Sequence, residues 1–303
     1  MMVASTAESR QDFYPTRYVA ESVARPRMHK TVWGDPGSGP LGADQLEAYD
    51  RDGFLAFDCL FSPEEMGQFR EELQRLTVEE NLRGSDRLAP EPDSDGLRSI
   101  FEVHVLSDVF ADLVRSDRLT AIARQILGSD VYVHQSRVNY KSAFSGSKWG
   151  WHSDFETWHA EDGMPAPHAL SFTIALTENY PFNGPLMIIP GSHLSFISTV
   201  GETPPDYHKI SLLGKSLPAG PVDRAHVTAL AKRRGIRQFT GAPGSAVVFD
   251  CNCLHASSEN ITPFARSNFF IVYNSMENVI GDPYAAPGPR PQYLANRDFT
   301  PLR

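Results

Sequence analysis

The stretch Trp149-Gly-Trp-His-Ser-Asp-Phe-Glu-Thr-Trp-His-Ala-Glu-Asp-Gly-Met-Pro165 decides how this chain is read. Its centre is His152-Ser153-Asp154. Because side chains alternate faces along an extended strand, His152 and Asp154 are expected to point the same way. Later in the chain, His255 offers a second imidazole. Two imidazoles and one carboxylate on one side of a metal ion leave its other side open, an arrangement typical of non-haem Fe(II) oxygenases.

The cysteines permit a different metal site. Cys251, Cys253 and His255 also share strand parity, so a thiolate site is an alternative. Zinc sites rich in cysteine usually contain paired Cys clusters, and Cys59 is the only other cysteine. We therefore favour the His-Asp-His site. The cysteines are interpreted as reduced thiols buried in a core strand, without disulfides.

The composition argues against some classes of binding partner. The chain has 303 residues, of which 41% are hydrophobic and 21% charged, as in ordinary globular proteins. A net charge of −9 argues against nucleic-acid and anionic-membrane partners. The sequence contains no apolar run of membrane-span length and no hydrophobic signal core at the N-terminus. We expect a cytoplasmic protein.

The first part of the chain is predicted to be an arm followed by helices. Residues 1–40 are polar and rich in turn residues, which predicts an arm that wraps the domain or stays mobile. Residues 41–303 are expected to form a single domain. Residues 83–98 are charged and contain proline, which predicts a loop. Helices are predicted over Ala43–Asp52, from Pro63 to about Glu80 behind an N-cap Ser62, and over Asp117–Leu127, closed by Gly128.

Short strands separated by turns follow, with the spacing of an all-β sandwich. In the predicted strand 131–141, four polar side chains share one face, which meets either water or a ligand. In the predicted strand 169–176, the even positions are large and apolar while the odd positions are small, so room is left for a ligand on that face. The four polar residues are Gln135, Arg137, Asn139 and Lys141.

An open metal face predicts where a co-substrate binds. A 2-oxo acid can take two of the three free positions, and dioxygen the third. Its far carboxylate requires a bidentate partner, which Arg266 can supply together with the hydroxyl of Ser257 and the cation of Lys141. A halogenase would need a vacant ligand position, so the carboxylate of Asp154 favours hydroxylation.

The other residues around the ligands have simpler interpretations. Trp151 and Phe155 are expected in the core, whereas Trp158 is equally suited to packing and to stacking on a ligand. A solvated loop is the preferred interpretation of His159, Glu161 and Asp162, rather than further metal ligands. His104, His134 and His168 are expected in strands or at strand ends, and His193 in a turn. Structural hydrogen bonds are expected for all four.

The segment from Trp151 to Pro165 resembles the signature of ectoine hydroxylases, within the phytanoyl-CoA dioxygenase-like Fe(II)/2-oxoglutarate oxygenases. Residues 134–141, 249–252 and 260–268 are similar to the same family, and the likeness covers most of residues 40–285. The pattern departs from the family at Trp149, where Phe is expected.

The resemblance implies a mainly β fold with flanking helices and a double-stranded β-helix (jelly-roll, cupin-like) core. It implies iron binding by His152, Asp154 and His255. It implies 2-oxoglutarate binding by Asn139, Lys141, Trp149, Ser257 and Arg266. It implies substrate binding by Gln135, Arg137, Trp158, Phe249 and Phe270.

The function that the resemblance implies is a dioxygenase reaction in compatible-solute synthesis, an osmoprotectant stress response. Ectoine, dioxygen and 2-oxoglutarate would give 5-hydroxyectoine, succinate and carbon dioxide. One alternative is a hydroxylase of the same class that acts on another small cyclic or amino-acid-like substrate. Another is a non-catalytic cupin-like module, which would need neither an open metal face nor Arg266. The sequence does not determine the oligomeric state, and a homodimer is compatible with it.

Overall fold

The computed structural model describes residues 11–78, 82, 84–92, 94–212 and 221–302. Its α-helices are α1 (Ala43–Asp52), α2 (Pro63–Val78), α3 (Val103–Leu106), α4 (Asp108–Arg115), α5 (Asp117–Leu127), α6 (Asp154–Thr157), α7 (Tyr207–Ser211) and α8 (Arg224–Arg234). Its strands are β1 (Ala24–Pro26), β2 (Phe54–Phe57), β3 (Leu88–Pro90), β4 (Leu97–Phe101), β5 (Val131–Lys141), β6 (Trp149–His152), β7 (Ala169–Ala175), β8 (Leu186–Ile188), β9 (Ser195–Ile197), β10 (Arg237–Phe239), β11 (Ala246–Asp250), β12 (His255–Ser257) and β13 (Arg266–Ser275).

Two antiparallel sheets form the predicted jelly-roll core. The larger sheet has the strand order β2-β11-β7-β13-β5-β4-β3, and the smaller one the order β10-β8-β12-β6. Phe249 and Phe270 of the larger sheet pack with Leu186 and Ile188 of the smaller one, so the two inner faces meet. A further pair, β1 and β9, joins the N-terminal arm to the body.

The helices cover the outer face of the larger sheet. Leu170, Phe172 and Ile174 of β7 lie in one buried cluster with side chains from α1, α2, α4 and α5. The predicted parity of this strand is therefore confirmed. Its small side chains occupy the opposite face, toward the space between the sheets, because successive residues of a strand alternate.

The helix boundaries follow their capping residues. Ser62 and Glu65 form a reciprocal cap at the start of α2, where Glu65 Oε2 accepts from the Ser62 N–H at 2.7 Å. Helices α1 and α5 end at glycines with left-handed φ values of 84° and 64°, Gly53 and Gly128. The predicted extension of α2 to residue 80 lies outside the described residues.

Two predictions about residues 83–115 are wrong. The expected loop contains β3 and the beginning of β4, and two unpredicted helices, α3 and α4, follow it. The Ser107 hydroxyl accepts from the Phe110 N–H and starts α4. His104 lies in α3 rather than in a strand, and its Nδ1 is 2.6 Å from Ser136 Oγ. These segments gain their order from packing against β5 and the core.

Both ends of the described chain pack against the jelly roll. In the arm, Tyr14, Arg17 and Thr31 are buried. The tail from residue 281 is without helix or strand, and Leu302 bridges to Val131 of β5. No helix among the described residues is long and apolar enough to span a membrane.

Candidate active site

The three predicted metal ligands meet at the end of the smaller sheet. His152 ends β6 and His255 begins β12, and the two residues are direct cross-strand partners. Asp154 is not on the strand, contrary to the parity argument. It is the first residue of α6, for which Ser153 is the N-cap that accepts from the Glu156 N–H at 3.4 Å. The chain therefore turns into a helix between the two ligands and still brings them together.

The geometry of this group fits a metal ion. One potential ligand atom of each residue lies within 4.8 Å of the other two. Asp154 Oδ1 is 3.6 Å from His152 Nε2, and Asp154 Oδ2 is 3.8 Å from His255 Nε2. Each imidazole uses Nδ1 on a backbone carbonyl, of Gly150 at 2.7 Å and of Cys253 at 3.0 Å. Both Nε2 atoms are therefore left for a metal.

The protonation states of these groups also suit a metal. Burial, with the neighbouring His152, lowers the pKa of His255 to about 4. Burial alone would raise the pKa of Asp154, but the adjacent His255 and Arg137 lower it below its ordinary value. The carboxylate is therefore ionised, and His255 is neutral, at neutral pH. Asp154 Oδ2 is buried without a hydrogen-bond partner among the described residues.

The cysteines do not form the alternative metal site. Cys251 and Cys253 are free and buried, and they lie in the turn after β11 rather than in a strand. Burial raises the pKa of both thiols well above its usual range. Cys253 Sγ is 3.3 Å from the carbonyl oxygen of Gly53, to which it donates. These are protonated packing residues.

Two buried cations face each other at the predicted co-substrate end. Lys141 and Arg266 are cross-strand partners on β5 and β13, and both are almost fully buried. Burial, together with the charges of Arg266 and Arg98, lowers the pKa of Lys141 to about 6. Burial also lowers the pKa of Arg266 to about 10. Burial disfavours the charged form of both groups, and an anion beside them would favour it, so this pair is suited to receive an anion.

Unsatisfied polar atoms lie at the same end. Arg266 Nε and Ser257 Oγ are buried without a hydrogen-bond partner among the described residues. Ser257 pairs with Trp149 across β12 and β6. Asn139 differs from them because its Oδ1 accepts from Ser99 Oγ at 2.7 Å. Three of the predicted co-substrate residues therefore have free bonding capacity or an unbalanced charge, and Asn139 is already oriented by the chain.

Arg98 is a residue at this end that the sequence did not reveal. Its guanidinium lies 3.8 Å from the centre of the Trp149 ring, and Nη2 donates to the Lys148 carbonyl at 3.1 Å. The contact places a third buried cation beside Lys141 and explains what the unexpected Trp149 packs against. No motif pointed to Arg98, since residues 83–98 were interpreted as a loop.

Four of the five predicted substrate residues lie between the sheets near the metal site. Arg137 and Phe270 are cross-strand partners, and the guanidinium is 4.8 Å from the ring centre. Arg137 also donates to Gln135 Oε1. Phe249 lies 5.1 Å from His255, ring centre to ring centre. The electrostatic influence of Arg137 on Asp154 places its charge beside the ligands.

The fifth predicted substrate residue, Trp158, is packed in a different cluster. It belongs to a π-helical turn, Trp158–Asp162, that continues α6, and we call residues 154–162 the signature helix. Only 2% of Trp158 is exposed, and its ring meets His134 edge-on at 5.0 Å. Phe155 is fully buried as expected, whereas Trp151 is only partly buried.

The expected solvated loop at His159, Glu161 and Asp162 is wrong. All three are buried in the signature helix. Asp162 pairs with Arg290 at 2.6 Å, and Glu161 pairs with Arg17 at 2.8 Å. None of the three belongs to the metal-binding group. The partners come from distant parts of the chain, so local sequence could not reveal the burial.

The other histidines for which structural hydrogen bonds are expected lie close to polar groups of the protein. His168 Nε2 lies 2.6 Å from the Leu127 carbonyl, and His193 Nε2 lies 3.1 Å from the Asp50 carbonyl. His134 Nε2 lies 3.4 Å from Asp162 Oδ2, but contrary to the prediction neither ring nitrogen of His134 forms a hydrogen bond among the described residues. Burial lowers the pKa of all three imidazoles below its ordinary value.

Comparisons with known proteins identify similar dioxygenases, in agreement with the metal-binding group. Residues 49–268 match the phytanoyl-CoA dioxygenase (PhyH) family. Ectoine dioxygenase of Streptomyces coelicolor is 53% identical over 302 residues, covering 99% of this chain and 100% of the relative. That of Halomonas elongata is 47% identical over 297 residues, covering 97% and 89%.

A solved structure extends the likeness to three dimensions. EctD from S. alaskensis, crystallised with 2-oxoglutarate and 5-hydroxyectoine, is 42% identical, with a TM-score of 0.86 and coverage of 95% of each chain. AviO1 from Streptomyces viridochromogenes is 21% identical with a TM-score of 0.55, covering 82% of this chain and 97% of AviO1, and shares the fold alone. This chain belongs to the phytanoyl-CoA dioxygenase (PhyH) family and, within it, to the ectoine dioxygenases.

Proposed function

We propose that this protein is an Fe(II)- and 2-oxoglutarate-dependent dioxygenase that hydroxylates ectoine. The reaction consumes ectoine, 2-oxoglutarate and dioxygen and yields 5-hydroxyectoine, succinate and carbon dioxide, in which one oxygen atom enters each of the first two products. The observation that carries the proposal is the full-length similarity to ectoine dioxygenases, with the His-Asp-His group in place.

The iron would be held by His152, Asp154 and His255. When bound, it supplies the redox chemistry that lets dioxygen react, with 2-oxoglutarate as the electron source. The chain itself contributes orientation. Both imidazoles are fixed through Nδ1, and the carboxylate is held at the start of a helix. Three protein ligands leave the rest of the coordination sphere to small molecules.

The co-substrate would lie with its far carboxylate against Arg266 and Lys141. An anion there would favour the charged form of both basic groups and can accept from the unpartnered Arg266 Nε and Ser257 Oγ. Trp149, which packs against Arg98, would wall this end of the pocket, and Asn139, which is held by Ser99, would lie beside it.

Ectoine suits the other end of the space between the sheets. It is a compact zwitterion with a delocalised amidinium ring and a carboxylate. Arg137 is half-buried and has no ion-pair partner among the described residues, so it can receive the carboxylate beside Gln135. The aromatic rings of Phe249, Phe270 and Trp158 would enclose the flat cation.

The decisive experiment measures oxygen consumption with Fe(II) and 2-oxoglutarate, with and without ectoine, and identifies the product. We expect stoichiometric succinate and 5-hydroxyectoine only when ectoine is present. Turnover with a different small cyclic or amino-acid-like compound, and none with ectoine, would contradict the substrate. Metal binding without any oxygen consumption would favour the non-catalytic module.

Three further expectations remain proposals. We infer that residues 41–303 form one dioxygenase domain with residues 1–40 as its arm. We infer a cytoplasmic location, with which the three free cysteines are consistent. We also propose a homodimer, which sedimentation of the purified protein would test.

A further inference from the structure

The signature helix carries more buried charge than the metal requires. Asp154 at its start is a metal ligand, and Trp158 lies in its middle. Three further acids in the same nine residues are buried, and none belongs to the metal-binding group. Buried carboxylates cost several kcal/mol unless they are paired. These acids are Glu156, Glu161 and Asp162.

The partner of two of these acids comes from the N-terminal arm. Arg17 Nε is 3.1 Å from Glu156 Oε1, and Nη2 is 3.2 Å from Oε2, which makes a bidentate pair. Nη2 also lies 2.8 Å from Glu161 Oε1, and Nη1 donates to Thr203 at 2.7 Å. Only 1% of the Arg17 side chain is exposed. One guanidinium therefore links two turns of the signature helix to the arm.

The backbone around Arg17 is fixed as firmly as its side chain. Its N–H donates to the Thr199 carbonyl at 2.8 Å, and its carbonyl accepts from Gly201 at 3.1 Å. Its φ is 64°, a left-handed conformation that is strained for a residue with a Cβ. The strain is retained because the surrounding contacts over-determine the position.

Glu156 receives two more hydrogen bonds at the same point. Thr16 Oγ1 and Thr199 Oγ1 donate to its Oε1 at 2.8 and 2.7 Å. The two oxygens of the Glu156 carboxylate are therefore both held by donors from Arg17 and the two threonines. Glu156 lies two residues from both Asp154 and Trp158, on the short helical turn that places them.

The far end of the signature helix is held by the tail. Arg290 Nε and Nη2 donate to the two oxygens of Asp162 at 2.8 and 2.6 Å. The ring of Tyr284 stacks on His159 with 3.9 Å between centres. The helix is thus held from both terminal segments of the described chain, and Arg17 acts on the end that carries the metal ligand.

We propose that Arg17 is a positioning residue for the active site, which fixes the signature helix so that Asp154 and Trp158 meet metal and substrate. Arg17 itself would contact neither the metal nor the substrate. The proposal rests on the proposed function for the identity of the metal and the substrate. It assigns to the arm a role in completing the site.

The test compares two buried arginines of the same arm. Arg17→Lys keeps the charge but loses the fork, and Glu156→Gln keeps the shape but loses the charge. Arg27→Lys is the matched control, because the Arg27 side chain is 3% exposed and pairs with Asp250 of β11 at 2.8 Å rather than with an acid of the signature helix. Each variant is measured for Tm, for Co(II) affinity without oxygen, and for 5-hydroxyectoine formed per succinate.

We expect Arg17→Lys and Glu156→Gln to weaken Co(II) binding by about 10-fold or more, as loss of metal-site support typically does. The product formed per succinate should fall as well. Arg27→Lys should lose a similar amount of Tm and keep both quantities at the parental value. Parental Co(II) affinity and coupling in Arg17→Lys or in Glu156→Gln would overturn the proposal, and so would equal losses in Arg27→Lys. If Arg17→Lys fails to fold, Glu156→Gln decides. A parent protein that forms no succinate would overturn the proposed function instead.

Discussion

The co-substrate end of the pocket and the signature helix bury charges to a similar depth but balance them differently. In the signature helix, Glu156 and Asp162 each form a bidentate pair with an arginine. At the co-substrate end, Lys141 faces Arg266, and no carboxylate among the described residues forms an ion pair with either. Charges that the chain neutralises itself hold the fold in place. Charges that it leaves unbalanced indicate where an anionic ligand completes the structure.

Removal of a metal ligand is predicted to have the largest effect, because only three protein groups would hold the ion. His255→Ala removes one of three ligands and should lower turnover by at least about 10³-fold. Iron content after anaerobic reconstitution should fall in parallel, since two ligands hold the ion poorly.

Replacement of the neighbouring thiols provides the control. A Cys251→Ser and Cys253→Ser double variant should retain its iron, because both thiols are protonated and hydrogen-bonded or packed. Stoichiometric iron in His255→Ala would overturn the His-Asp-His assignment. Loss of iron in the double variant would instead favour the thiolate site.

Arg266→Lys addresses the unbalanced region directly. The substitution keeps a cation but loses the planar fork that matches a carboxylate. Loss of one charge-assisted hydrogen bond is worth about 1.5–3 kcal/mol, so the 2-oxoglutarate requirement should rise roughly 10- to 100-fold. Succinate formation at varied 2-oxoglutarate measures it, and the ectoine dependence should change little. An unchanged requirement would move the carboxylate anchor to Lys141.

Trp158 separates the two roles of the signature helix. If its ring stacks on the amidinium of ectoine, Trp158→Ala should raise the ectoine KM about 2- to 30-fold, which corresponds to about 0.5–2 kcal/mol. Trp158→Phe should be intermediate, and 2-oxoglutarate binding should be unaffected in both. Because Trp158 is buried beside His134, Tm is measured alongside. Parental ectoine turnover in Trp158→Ala would make this residue a packing group only.

The sequence correctly predicted those elements that are determined by residues close to one another in the chain. The parity of β7, the cap of α2 and the glycine ends of α1 and α5 are all confirmed, because each depends on neighbours within a few residues. The metal group was predicted correctly although its geometric reason was incomplete, since Asp154 begins a helix. The cross-strand pairing of His152 with His255 brings the two imidazoles together, although Asp154 does not continue the strand.

What the sequence did not reveal depends on distant partners. Glu161 and Asp162 look like solvent-exposed acids until Arg17 and Arg290 are placed beside them. Arg98 lies in a charged, proline-containing stretch that orders only as β4 pairs with β5. In each case the deciding contact joins residues far apart in the chain, which no periodicity records.

The last prediction concerns the pH dependence of 2-oxoglutarate binding at the co-substrate end of the pocket. Burial, with the charges of Arg266 and Arg98, lowers the pKa of Lys141 in the ligand-free protein to about 6, although Glu91 and Glu259 favour its charged form. Above that pH it is mostly neutral before 2-oxoglutarate binds. A carboxylate beside it favours the ammonium form and raises its pKa, so binding takes up a proton.

The affinity for 2-oxoglutarate should therefore increase as pH falls from about 8 toward 6, by at most about tenfold per unit, and level off below 6. Arg266, with a pKa of about 10, stays charged throughout this range. Anaerobic titration of the iron-loaded protein measures the slope, and Lys141→Met should remove it while weakening binding. An equally steep slope in Lys141→Met would assign the proton to another group. Lys141 would then stay neutral when 2-oxoglutarate binds. Arg266 would be the sole cation that faces the co-substrate.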